Sequence, residues 1–182
     1  MRDDLSLSLD RSHIEPSTLS RFQRVLLTTD GTVTDMLEAY LFEQMQLVKL
    51  SEKLIAIDED ILPMELSKGA EVIERKILLQ GKISRRNYIY AESILALERL
   101  EETFRKELLE TKTPIGKIWL EQKVETFKEI VVTGKKPVGE LSQYFPVEPE
   151  SNMLFRTYCV FTNRKSTMMI TEVFPDSYFM GN

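Results

Sequence analysis

Residues 153–163 (MLFRTYCVFTN) and 166–175 (STMMITEVFP) are two alternating runs rich in β-branched, aromatic and thioether side chains, with only Arg164 and Lys165 marking a tight turn. Runs so close in sequence pair antiparallel as a hairpin. Residues 71–80 (EVIERKILLQ) and 87–97 (NYIYAESILAL) repeat the arrangement around Gly81-Lys82 and Ser84. Residues 46–57 and 124–132 read as two further strands. Helical spacing appears elsewhere. Leu19, Phe22, Val25 and Leu26 follow Glu15-Pro16-Ser17-Thr18, and Val33, Met36, Leu37, Tyr40 and Leu41 follow a cap at Asp30 or Thr32. Residues 98–110 are helical through Leu100, Phe104 and Leu108. Thr113-Pro114 breaks that helix and starts another over 115–122, with GKKPVGE a connector and 138–145 a short helix. Helices followed by hairpin-linked strands with a helical insert predict an α+β fold, a single antiparallel β-sheet with helices packed on it. At 182 residues the chain is one domain able to bury a sizeable core, with residues 1–15 a tail and no internal repeat.

Composition then narrows the chemistry. The 24 basic and 29 acidic residues give a net charge of −5, which argues against a nucleic-acid surface but leaves room for a local anion site. No apolar run reaches spanning length, and the polar N-terminus is not a signal peptide, so no membrane association is expected. The lone Cys159 fits a reducing compartment, and a cytoplasmic location is the expectation. The one histidine, His13, lies in the tail, so neither a usual zinc site nor a histidine-based triad assembles easily. No Gly-rich nucleotide motif occurs. Any enzyme chemistry here falls to Arg, Lys, Glu, Asp, Tyr and backbone groups, with no cofactor or metal expected.

Strand alternation picks out two charges. Ile73, Arg75, Ile77 and Leu79 share a face, as do Met168, Ile170, Glu172 and Phe174. Arg75 and Glu172 are each the lone charge on an apolar face. A buried ion costs several kcal/mol unless it is paired. Either the two pair with each other, or they flank a polar ligand, with Arg75 gripping a carboxylate and Glu172 meeting a hydroxyl. Glu92, beside Tyr88, Tyr90 and Ile94, and Arg156, beside Leu154, Tyr158 and Val160, are placed at an edge or on the surface. Arg85-Arg86, Lys135-Lys136 and Arg164-Lys165 read as solvated. Trp119, Phe127, Met153, Met168, Met169 and Met180 read as core.

Several of these stretches, in this order, resemble those of chorismate pyruvate-lyases. Ile170-Thr171-Glu172-Val173-Phe174-Pro175 is similar to the family's Leu-Thr-Glu-Leu-Phe stretch. VIERKILLQGK is similar to its Arg-bearing strand before a Gly turn. Thr113-Pro114-Ile115-Gly116-Lys117 resembles Thr-Pro-Leu-Gly-Arg, and Asp30-Gly31-Thr32-Val33-Thr34 resembles a short Ser-Met-Thr segment. The resemblance implies a ligand enclosed between sheet and helical flaps, and cofactor-free conversion of chorismate to 4-hydroxybenzoate and pyruvate. It implies Arg75 on the ring carboxylate and Glu172 near the ring 4-hydroxyl. Val33 and the backbone around Ile115 and Gly116 would line the pocket. Two departures stand out. Val33 replaces the usual Met. The basic residue expected on the strand after the turn, for chorismate's second carboxylate, is absent, with Glu92 near its place, so that role falls to Arg156 or Lys117. The same fold resembles the UTRA effector-binding domains of bacterial transcription regulators, so a non-catalytic small-molecule binder is the alternative. The short stretch before the first helix argues against a DNA-reading module. The partner in either case is a small carboxylate, and the oligomeric state is left open.

Overall fold

The computed structural model describes residues 12, 14–111, 113 and 115–181. His13, Pro114 and most of the expected tail lie outside them. The elements in chain order are α1 (Arg21–Thr28), α2 (Val33–Leu41), β1 (Met45–Ala56), β2 (Glu71–Gly81), β3 (Asn87–Leu95), α3 (Glu102–Glu110), α4 (Ile115–Glu121), β4 (Phe127–Pro137), β5 (Asn152–Thr162) and β6 (Lys165–Pro175). The strands form one six-stranded sheet in the order β1-β2-β3-β6-β5-β4, antiparallel at every pairing. Two meanders, β1-β2-β3 and β4-β5-β6, join at the centre through β3 and β6, in register from Tyr90↔Val173 to Leu95↔Met168. The expected α+β class and antiparallel sheet are what the chain forms.

Local boundaries shift for identifiable reasons. Pro16–Thr18 is a short 3-10 turn, and α1 starts later, at Arg21, with Ser20 as its cap. Ser20 Oγ accepts from the Gln23 N–H and Gln23 Oε1 accepts from the Ser20 N–H, a reciprocal cap that fixes the helix start. The same Gln23 is buried and donates its amide to the Asp176 and Tyr178 carbonyls, pinning the C-terminal segment. The helix expected from residue 98 begins at Glu102. Arg99 donates to the carbonyls of Met64, Glu65 and Ser166, which holds Leu97–Arg99 in a separate 3-10 turn. The β5–β6 turn is Asn163-Arg164, both left-handed (φ 52° and 64°), and Lys165 already pairs with Thr162. Two left-handed residues match the twist of a two-residue hairpin.

β4 runs on through Lys135 and Lys136, where a connector was expected. It is an edge strand, where exposed lysines and a terminal Pro are tolerated. Gly134 lies against Phe155, whose ring a Cβ would approach to 2.6 Å. Phe127 is exposed on this edge, against Phe161 at 6.1 Å, and Met180 is exposed too, so neither is core. Met153 and Met168 are fully buried.

The helices cover the sheet face that carries Arg75. Phe104 and Leu108 of α3 and Ile118 and Trp119 of α4 pack on Ile73, Leu95, Val160 and Met168. Each such apolar side chain contributes about 1.5–3 kcal/mol by leaving water. Leu37 of α2 joins Leu47, Ile77 and Leu79 in the larger cluster. On the other face, Met64 from the β1–β2 connection packs with Ala96 and Cys159. No described helix is long and apolar enough to cross a membrane.

Candidate active site

Between the covered face and its helices lies a cavity of about 60 Å³. Arg75, Ile77 and Leu79 of β2, Ala91 and Ser93 of β3, Ile170 and Glu172 of β6 and Tyr158 of β5 form the floor. Thr32, Val33 and Thr34 at the start of α2, and Ile115, Gly116 and Trp119 of α4, form the roof. The two covers touch, because a Cβ on Gly116 would overlap the Thr32 methyl. At the rim Lys117 bonds Glu38 at 3.0 Å, and Glu38 also accepts from the Met45 N–H at 2.8 Å. Burial works against the Glu38 charge, but these two partners more than offset it and its pKa lies below the usual value.

Arg75 is 1 % exposed and faces Glu52 on β1 and Ser93 on β3. Its Nε lies 3.4 Å from Glu52 Oε2, yet none of its three guanidinium nitrogens makes a hydrogen bond. Burial pulls its pKa down and Glu52 restores part of it. Buried polar groups are paired in the great majority of cases, so an orphaned guanidinium in a cavity wall needs an explanation.

Glu172 stands one strand beyond β3. Its Oε2 accepts from Arg156 Nε at 2.8 Å and its Oε1 from the Tyr158 hydroxyl at 2.9 Å. Arg156 Nη1 in turn donates to the Thr29 carbonyl at 2.6 Å, and its guanidinium lies 4.8 Å from the Tyr158 ring centre. Burial acts to lower the Arg156 pKa, but Glu172 and Tyr158 outweigh it, so it is raised. Burial and the Glu172 charge push the Tyr158 phenol well up.

Arg75 and Glu172 therefore do not pair with each other. Arg75 is level with Ser93 and Glu172 with Ala91, two strands and two residues apart, about 12 Å between Cα atoms. Both line the cavity. Val33, Ile115 and Gly116 line it as well. Arg156 and Lys117 do not reach the lining; the first stands behind Glu172 and the second faces Glu38. Arg156 is 1 % exposed, not at an edge, because β5 is an inner strand capped by the Thr29 loop. Glu92 is exposed on the opposite face and accepts from the Tyr90 hydroxyl at 2.6 Å.

One further charged residue, not anticipated from the sequence, lines the cavity. Lys128 of β4 enters the cavity wall, donates to the Gly31 carbonyl at 2.9 Å, and lies 5.3 Å from the Trp119 and 5.5 Å from the Tyr158 ring centres. Burial lowers its pKa, Glu172 and Asp30 raise it, and Arg156 lowers it further. The alternation that marks Arg75 also applies to Lys128, which shares a face with Ile130. On the other face Glu125 and Glu129 lie together. Among the described residues no group of three or more His, Cys, Asp or Glu side chains could hold a metal ion. The arrangement can grip a carboxylate at one end, accept from a hydroxyl at the other, and exclude water between.

Comparison with known proteins places the chain in a family. The family model of the Rv2949c-like chorismate pyruvate-lyases matches residues 27–179. The chorismate pyruvate-lyase of Mycobacterium leprae is 28% identical over 113 residues, 62% of this chain and 54% of that protein. That of Mycobacterium tuberculosis is 27% identical over 104 residues, 55% of this chain and 52% of that protein. The matched stretch thus spans about half the length of these relatives. In fold, the chain is similar to PhnF of Mycobacterium smegmatis, with a TM-score of 0.61 and 12% identity over 81% of this chain and 64% of that one. The effector domain of PhnF alone gives 0.60 at 12% identity, over 80% of this chain and 88% of that one. A ligand-binding domain of a GntR-family regulator from Bordetella bronchiseptica gives 0.56 at 13%, over 72% and 84%. At these identities the structural likeness is one of fold alone. With the family model spanning both halves of the sheet and every residue of the cavity lining, the chain belongs to the Rv2949c-like chorismate pyruvate-lyase family.

Proposed function

We propose that the protein is a chorismate pyruvate-lyase that binds the ring of chorismate in this cavity, carboxylate on Arg75 and hydroxyl toward Glu172. The observation that carries the reading is the Arg75 guanidinium, buried and without a hydrogen bond in the wall of a cavity that Glu172 also lines. A carboxylate would supply the missing acceptors in fork-to-fork geometry. Glu172 has lone pairs to spare after Arg156 and Tyr158, so it can accept from a ring hydroxyl too.

The reaction asks little more of the protein. The ether bond between ring and enolpyruvyl arm breaks, and the hydrogen on the hydroxyl-bearing ring carbon ends on the methylene carbon of the departing arm. The products are 4-hydroxybenzoate and pyruvate, the atoms balance with no co-reactant, and aromatisation drives the step. Holding a reactive conformer between two fixed charges in a dry cavity is a sufficient task.

The test is to incubate the protein with chorismate and follow both products. They should appear one to one, and Arg75→Met should lower kcat/KM by about 2–5 kcal/mol, roughly 30- to 5,000-fold. Unchanged turnover in that variant removes Arg75 from the site. The fold shared with regulator ligand-binding domains favours a second reading, a binder without turnover. Thermal protection by chorismate with no product formed would select it.

A further inference from the structure

We propose that the Lys128 ammonium receives the second carboxylate of a dianionic ligand and thereby makes the cavity prefer dianions to monoanions. The inference rests on the chorismate reading of the cavity and assigns the group that reading leaves open. Arg156 is committed to Glu172 and Thr29, and Lys117 to Glu38. Among the described residues, Lys128 is the other cation that lines the cavity with Arg75. The two stand on β4 and β2, four strand spacings apart, about 19 Å at the backbone, and both long side chains reach inward.

Substrate geometry points to the same residue. The enolpyruvyl arm leaves the ring at the carbon next to the one bearing the hydroxyl. With the hydroxyl at Glu172, the arm and its carboxylate must lie beside Glu172, beyond the ring from Arg75. Lys128 is on that side. It is close enough for Glu172 to act on its charge, and its ammonium crosses the Tyr158 and Trp119 rings toward the Gly31 carbonyl. An ammonium carries three donors, and the Gly31 carbonyl takes one. Glu172 and Asp30 attract it while Arg156 repels it, so the site holds a desolvated cation with a partly balanced field. A carboxylate would complete that balance, whereas the product 4-hydroxybenzoate brings none to it.

The test reads ligand binding through the fluorescence of Trp119, the one tryptophan of the chain, in the cavity wall. The probes are 4-hydroxybenzoate and the stable dianion 3-(1-carboxyvinyloxy)benzoate. In Lys128→Gln, whose amide can still donate to Gly31, the dianion should bind at least tenfold more weakly while 4-hydroxybenzoate changes less than twofold. Lys128→Arg should restore most of the dianion affinity. Equal weakening of both probes, or of neither, overturns the assignment. Wild-type chorismate turnover, measured in parallel, separates the two claims. The expected probe pattern without turnover upholds Lys128 and removes the lyase, and turnover without the pattern does the reverse.

Discussion

Two arginines lie on one face of the sheet, each 1 % exposed and each directly opposite a glutamate on the neighbouring strand, yet their circumstances differ. Arg156 bonds Glu172 at 2.8 Å and the Thr29 carbonyl at 2.6 Å. Arg75 lies 3.4 Å from Glu52 and makes no hydrogen bond, while Glu52 turns its other oxygen to Lys49 at 2.9 Å. The first is a hydrogen-bonded cluster, with Nη2 of Arg156 alone of its three nitrogens left without a partner, that ties the β4–β6 half of the sheet to the loop before α2. The second is an open charge on the β1–β3 half. Removing one member of a closed buried pair leaves its partner stranded, but removing an orphaned ion relieves a cost already present. Folding uses Arg156, and in the proposed function ligand binding is where Arg75 would recover what folding left unsatisfied.

That contrast can be broken by one urea-unfolding series. Arg156→Met should cost about 3–5 kcal/mol, because Glu172 is left buried without its cation. Tyr158→Phe removes one hydrogen bond to the same carboxylate and should cost about 1.5–3 kcal/mol. Arg75→Met should fall within about 1 kcal/mol of the wild type, or above it, since an apolar side chain of similar length replaces a buried ion that makes no hydrogen bond, and Glu52 keeps Lys49. If Arg75→Met is as costly as Arg156→Met, Arg75 is a folding residue and the contrast fails.

Much of this was legible in the chain. Period-two alternation identifies Arg75 and Glu172 as inward charges, because each is alone among apolar residues on its strand face. It places Arg156 with Leu154, Tyr158 and Val160 equally well. What alternation lacks is strand order: only the sequence β1-β2-β3-β6-β5-β4 makes β5 an inner strand and turns Arg156 into a buried residue. Alternation also leaves Lys128 the lone charge beside Val124, Thr126 and Ile130, and what fixes its place in the cavity is α4, whose Trp119 ring centre lies 5.3 Å from its ammonium. The helix starts were misjudged where side chains far away in sequence decide them, as Arg99 does through the carbonyls of Met64 and Ser166. The closure of the roof by Gly116 against Thr32 likewise depends on a contact between two segments that no local pattern links.

The most direct measurement is a crystal structure of the protein with 4-hydroxybenzoate. The account predicts the ligand carboxylate on the Arg75 guanidinium at about 2.7–2.9 Å, with the ring over Ala91 and Ser93 and the hydroxyl directed to Glu172. A ligand bound elsewhere, or one seated in the cavity with Arg75 still without a hydrogen bond, would contradict it.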